Sequence, residues 1–480
     1  MKRTLFKHAM TYCAAGMIAG LTACAQLSVT ETLDRPEPGL QGQSFAEDQP
    51  GSILAVPYSA GVNLIGHTDV MGRDSNIQMA WVGECAFISS SSPNFLGWGV
   101  KAEPETFGVA VIDVSNPQVP ETVTFLRDKG AMYSSEAMDA VDAGDRKVLA
   151  ASIYQGGEKP SRDSGWLSLY DVSDCAAPKL TAEYRWPVPV HAIAVSPNGQ
   201  RVYATEIHPF KASGGLHVLD ISDMQAPKYL GKFNVTRADG SDFEFAVHDI
   251  SFSNDENRIY AGVLGSHGGD LNKGIKPFPP SSKYLGPDGG GFYILDNSEI
   301  ASGKADPSIK LIGTAEHGGW HSPVPATIDG KPYVVSGGEL GACPGAWPKI
   351  TDISAESAPE LVGEFKLEMN RAENCPPLSP TEKATGGISG DPGTASLHYN
   401  DVDSATDTKL GLFNFMWAGL RIADLRDPAS PTEIAYFKPG DACGGQVRYK
   451  KDTDHIWLAC GQSGFYVLEI KPEVRKKHGL

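Results

Sequence analysis

Four histidines recur at one register of four similar stretches. His191, His248 and His321 each stand twelve residues before a tyrosine, Tyr203, Tyr260 and Tyr333, and His398 opens a fourth stretch of the same kind. Neutral imidazole is a common transition-metal ligand, so four imidazoles converging on one axis would hold one ion, with Fe, Cu, Zn and Mn as the candidates. Acidic and imidazole groups accompany them: Glu206, His208, His267, Glu316, His317 and Glu339. Of these, Glu206 and Glu339 are the candidate acid/base residues, the others serving to orient ligands. The bland reading is that a His opening each stretch bonds the backbone of its neighbour, a recurrence inherited by repeat duplication. Both readings stay open at this level.

The elements that would position these residues are written in a second repeat. Short alternating apolar stretches run into an acidic residue, and in most copies a Ser and a Pro-containing turn follow. The copies read AVIDVSNPQVPETV from Ala110, LYDVSDCAAPKL from Leu169, VLDISDMQAPKYLG from Val218, YILDNSEIASGKADPSIKLIG from Tyr293, ITDISAESAPELVG from Ile350, IADLRDPASPTEIA from Ile422 and YVLEIKPEV from Tyr466. The acidic residue bonds the amides of its own turn. Before each copy stands a hairpin signal, β-branched or aromatic residues flanking a Gly/Asn/Asp turn, as in HAIAVSPNGQRVYAT from His191. Such units cannot bury an apolar face alone, and their number predicts an all-β fold, a seven-bladed β-propeller built of four-stranded antiparallel blades.

The histidines then open the innermost strands of four adjacent blades, around the mouth of the central channel on the face called top here. Ser75/Asn76, Glu136/Ala137 and Gly445/Gln446 take that position in blades one, two and seven. The last blade stops after Tyr466 to Ile470 without a fourth strand. The stretch Gly61 to Gly66 resembles fourth-strand text elsewhere, so an N-terminal strand closes the ring and leaves no open sheet edge at the seam. The longest insertions, 89–106, 265–291 and 367–395, all belong to the top face. They carry Phe95, Trp98, Phe278 and Tyr284, with Trp320 nearby, as expected of a binding rim. Tolerated surface insertion is the alternative.

The units VIDVSNPQVPETV, VLDISDMQAPKYLG and IADLRDPASPTEIAYF resemble the LVIVD repeat of exported bacterial and archaeal propellers. The resemblance spans from about Asn63 to Ile470, is weakest in blade four where Asn297 follows Asp296, and implies architecture without carrying catalytic residues over.

The N-terminus predicts export. Lys2 and Arg3 precede an apolar run from Ala9 to Leu21 that is too short for a permanent span, and Leu21-Thr22-Ala23-Cys24 resembles a lipobox. We read 1–23 as a lipoprotein signal peptide, 24–54 as a flexible tether lipidated at Cys24, and 55–480 as the propeller. Ala25 favours the outer membrane, facing the periplasm. Of eight cysteines, removing Cys13 and Cys24 leaves six, in a compartment that permits disulfides. Blade topology pairs Cys343 with Cys375 and Cys443 with Cys460, and leaves Cys85 with Cys175 by elimination.

A net charge of −17 argues against nucleic acid as a partner. No GxSxG or HExxH motif occurs; Asp288 to Gly291 lacks the Lys and helix of a phosphate loop, and Arg475 to Lys477 reads as a solvated tail. Two classes of function follow. One is a metal-dependent enzyme or metal-binding protein using the histidine ring. The other is a non-catalytic scaffold presenting its top face to an envelope protein or a small exported ligand, with the lipid as its sole membrane contact.

Overall fold

Seven antiparallel sheets account for almost all the regular structure in the computed structural model, which describes residues 57–91, 104–154, 165–206, 215–243, 247–263, 290–339, 346–371, 396–440 and 443–480. The leader, the lipobox and the tether lie outside these residues. Each sheet is one blade, and in all but the last the four blade strands follow chain order from the axis outward. The innermost strands are Met79–Val82, Met138–Asp142, Ile193–Val195, Val247–Phe252, His321–Ile328, Leu397–Val402 and Val447–Lys450. In blade seven the outermost strand is Val62–Thr68, paired antiparallel with Gly464–Ile470, so the ring closes through the N-terminal strand as the sequence predicts. Tyr58–Ala60 adds a fifth strand to blade six, and two short strands extend blade four, where Val235–Thr236 pairs parallel with Ile309–Ala315 as the exception to the antiparallel pattern. Among the described residues no helix is long and apolar enough to cross a membrane.

The acidic turn explains why the repeat is so regular. Asp113, Asp171, Asp220, Asp296 and Asp352 each accept the backbone N–H two residues on, at 2.8, 2.9, 2.8, 3.0 and 2.7 Å, and Asp424 does so at 3.1 Å. These side chains are spent on turn geometry. The glycine of the fourth-strand text has a packing reason: at Gly66, Gly313 and Gly363 a Cβ would overlap the carbonyl of Pro117, Glu356 and Pro428 in the turn of the next blade. Small side chains there let successive blades close up.

Apolar faces of neighbouring blades form the core in layers. Leu412 and Ile422 of blade six pack with Val447, Ile456 and Leu458 of blade seven, and Phe87 and Val111 of blade one with Leu149 and Tyr170 of blade two. Two disulfides reinforce this. Cys85–Cys175 ties blade one to blade two, and Cys443–Cys460 brackets the first hairpin of blade seven, both as predicted. Cys343 and Cys375 lie outside the described residues.

Candidate metal centre

The top ends of five consecutive inner strands deliver Glu136, His191, His248, His321 and His398 to one place. Each is almost fully buried, at 5%, 5%, 3%, 1% and 4% exposure. Ring centroids of successive histidines are 4.4, 4.5 and 4.9 Å apart, so the imidazoles form a continuous arc. The backbone is shaped to aim them. Register shifts fall beside the histidine in blades four, five and six, between Val247 and Ile250, His321 and Val324, and Leu397 and Tyr399. Bulges of this kind re-aim side chains next to functional sites. Ser135 and Ser322, beside Glu136 and His321, hold φ of 41° and 48°. Non-glycine residues pay for that conformation, and it persists where the surroundings enforce it.

Two carboxylates face the arc. Glu136 Oε2 lies 3.4 Å from His191 Nε2 and 3.7 Å from His248 Nε2, while its Oε1 lies 3.3 Å from His398 Nε2. Glu339 leaves the second strand of blade five two residues after Gly337 and presents Oε2 to His248 Nε2 at 3.3 Å and Oε1 to His398 Nε2 at 3.6 Å. Its side chain is 14% exposed against 6% for Glu136, which puts Glu339 nearer the open mouth. Three overlapping triads meet the geometry of a metal-ligand set, their ligand atoms within 4.8 Å of one another: Glu136/His191/His248, Glu136/His321/His398 and His248/His321/Glu339.

The second nitrogen of two rings is occupied, which fixes the other toward the centre. His398 Nδ1 contacts the Gly444 carbonyl, and His321 Nδ1 lies 3.1 Å from Ser322 Oγ. The bland reading therefore holds for one nitrogen of His398, which does reach the neighbouring blade's backbone. Its Nε2 faces carboxylates instead, the second-sphere pattern of a ligating imidazole. Tyr154, Trp320 and Tyr399 wall the arc, with ring centroids 4.8 Å from His191, 5.1 Å from His248 and 4.3 Å from His398 respectively. Among the described residues, His248 Nδ1 and the Tyr399 hydroxyl are buried without a hydrogen-bond partner.

Electrostatics follow from this crowding. Burial alone would raise Glu136, but hydrogen bonds from His191 and His398 and the charge of His248 outweigh it and hold the carboxyl well below its usual range. Burial pulls His248 down, yet the Glu339 hydrogen bond and the charge of Glu136 push it up to about 8. Burial pulls His398 down too, but its hydrogen bond to Glu136, the charges of Glu339 and Glu136 and its Gly444 contact raise it. His321 goes the other way: burial and the positive charges of His248 and His398 keep it neutral, well below its ordinary value. Burial and the two glutamates drive Tyr154 and Tyr399 far up, so both remain neutral hydroxyls.

Below the arc, a cavity of about 350 Å³ is lined from all seven blades. It runs from Glu136, His248, His321 and Tyr399 to Asp139, Gln78 and Arg448 and is the central channel. The ring of metal-type ligands closes its top end.

All four sequence-predicted histidines and Glu339 meet here. Glu206 does not join them: its Oε2 lies 3.7 Å from His217 Nε2, whose Nδ1 is 2.7 Å from the Tyr229 hydroxyl. His317 is engaged with Thr351 at 2.8 Å, and burial takes it down to about 4. His208, His267 and most of the three long insertions lie outside the described residues. Sequence reasoning placed Glu136 at the histidine register without giving it a role, and missed Tyr154 and Tyr399. The signal for Glu136 was its register; the tyrosines had none.

No family model and no curated protein sequence matches the chain. Solved structures do, at low identity. Kuenenia stuttgartiensis hydrazine synthase is similar with 14% identity and a TM-score of 0.50, over 85% of this chain and 97% of that one. The β-propeller domain of Myceliophteria thermophila Cps50 (Swd1) gives 12% identity and 0.48, over 85% and 99%. At these identities the likeness concerns the fold alone. Fold and site together define a seven-bladed propeller with a buried His/Glu cluster at the mouth of its channel.

Proposed function

We propose that this chain is an exported, lipid-anchored propeller of the LVIVD type whose channel mouth is a transition-metal centre. In this reading it carries out metal-dependent chemistry on a small molecule admitted through the top loops. The observation that supports it is the convergence of His191, His248, His321, His398, Glu136 and Glu339 into three overlapping ligand triads. Imidazole and carboxylate donors together suit Zn, Fe, Mn and Cu. Glu136 and the four histidines are ligands. Glu339, nearer the mouth, is placed both to ligate and to exchange a proton with a bound molecule, and the Tyr399 hydroxyl is a neutral donor beside it. Two disulfides fit an oxidising compartment, and Cys24 is the lipidated residue of the proposal.

Metal analysis of protein purified without chelator tests the centre. Bound Fe, Cu, Zn or Mn is expected, and His248→Ala or His321→Ala is expected to remove it while the blades remain folded. Finding no ion, even after reconstitution with each metal, would overturn the proposal in favour of a scaffold that binds an envelope protein or exported ligand. For the anchor, Cys24→Ser is expected to abolish labelling with a palmitate analogue; unchanged labelling would refute lipidation there.

A further inference from the structure

We propose that the centre takes two metal ions, bridged by Glu136 and Glu339, rather than one. The inference rests on the metal-binding reading above and deepens it. Its basis is the way both carboxylates divide their oxygens. Glu136 gives Oε2 to His191 and His248 and Oε1 to His398. Glu339 repeats the division, Oε2 to His248 and Oε1 to His398. Two side chains from different blades thus span the same pair of histidines with opposite oxygens. A single ion would need only one oxygen from each.

Two of the three triads divide the imidazoles: His191 and His248 share one with Glu136, and His321 and His398 share another with the same residue, while the third, His248/His321/Glu339, joins the two halves through the second glutamate. Each half then offers two imidazole nitrogens and one oxygen from each glutamate, four donors in all, a complete first set for one ion. A carboxylate spanning two ions sets them roughly 3.5–4 Å apart, the separation of two-metal hydrolytic and oxygen-handling sites. The outer nitrogens of His321 and His398, held by Ser322 and Gly444, keep both rings of the second half pointed inward.

Charge defines the ligand such a pair would take. Two divalent ions against two carboxylates leave a net charge of about +2, so the remaining positions between the ions favour hydroxide or an oxyanion. The substrate class is therefore a small molecule bearing an anionic or polarised oxygen.

The test is metal stoichiometry on the whole wild-type chain. Chelator-treated protein is titrated with Mn²⁺, and bound metal and electron paramagnetic resonance are read together. Two tight ions per chain with the broadened signal of a spin-coupled pair is the expected result. One tight ion with an isolated-ion signal, or two ions without coupling, would overturn the bridged pair while leaving a metal centre in place. No tight ion with Mn²⁺, Zn²⁺, Fe²⁺ or Cu²⁺ would overturn the proposed function itself. As a second reading, His191→Ala is expected to halve the stoichiometry and abolish the coupled signal; retention of both would count against the division into halves.

Discussion

Replacing Glu136 with Gln removes a charge while keeping a side chain of the same shape, which makes it the sharpest probe of the centre in its metal-free state. The wild-type carboxylate stands within 3.7 Å of three imidazoles. Together with Glu339 it carries His248 from 6.5 to about 8 against burial. A rise of that size corresponds to about 2 kcal/mol of preference for the protonated ring in the folded state. A histidine raised on folding contributes this stability in full below its unfolded value of 6.5, and loses it as pH climbs through about 8. His321 acts in the opposite sense, its folded value being depressed, so the quantity to read is the difference between the two chains. Glu136 acts on His248 through its charge, after the larger effect of the Glu339 hydrogen bond, so the wild-type advantage over Glu136→Gln is expected to be greater at pH 6 than at pH 9 by up to about 1 kcal/mol. Urea unfolding in chelator measures it, and the His248 titration followed by NMR is expected to move down toward its ordinary value. A stability difference independent of pH, with His248 titrating as before, would refute the account of this carboxylate as the counter-charge of the arc.

Three further outcomes are expected. Asp139 lines the channel, accepts the Val195 N–H at 2.8 Å and is raised by burial to about 6. A raised acid favours the fold at low pH and loses that contribution as pH rises from its ordinary value through about 6. Asp139→Asn is therefore expected to stabilise the chain at pH 8 by up to about 3 kcal/mol, less wherever channel water solvates the carboxylate, and to have little effect at pH 4; equal effects at both, by urea unfolding, would contradict this. Cys85→Ser opens a bridge of sequence separation 90, and loop closure of that length is worth up to about 4.6 kcal/mol. A melting temperature unchanged in non-reducing buffer would show that blades one and two need no staple. Finally, Zn²⁺ uptake by chelated protein at pH 7 is expected to release close to one proton from His248 alone, read by calorimetry in buffers of different ionisation enthalpy. Uptake without proton release would mean that the ion binds elsewhere.

Much of the ring was legible because the repeat unit is itself a local chemical device. An Asp that must cap its own turn recurs at Asp113, Asp171, Asp220, Asp296, Asp352 and Asp424, and its recurrence counts blades before any long-range contact is known. The histidines were legible for a related reason: equal distance to Tyr203, Tyr260 and Tyr333 means equal height on neighbouring strands. Glu136 holds the same height and differs only in residue type, so a search for repeated histidines passed over it. Glu206 and Glu339 show the limit of loop reasoning. Both stand two residues beyond a second strand, after Ala204 and Gly337. Glu339 turns to histidines of other blades, whereas Glu206 turns to His217 on the third strand of its own blade, and equal spacing from a strand end does not distinguish the two. Tyr399 and the strained Ser135 and Ser322 express local backbone shape, for which the sequence carries no periodic signal.

Charge balance links these observations. Glu136 is buried with both oxygens among imidazoles, and a buried carboxylate persists only beside compensating positive charge. In the metal-free chain protons supply it, on His248 and His398, the two rings the glutamates share and the two whose affinity for protons is raised. His321 lies between them, kept neutral by burial and by their charges, with a nitrogen facing the centre. Protons and metal ions compete for the same nitrogens, so the places where this fold concentrates protons are the places where it would concentrate cations of higher charge. Had the histidines served only to tie blade to blade, both nitrogens would be spent on backbone, as His398 Nδ1 is on Gly444, and no carboxylate would be needed in the arc. Two carboxylates that each reach the same two rings are difficult to account for as blade-to-blade ties, and straightforward to account for as the remaining ligands of a metal centre.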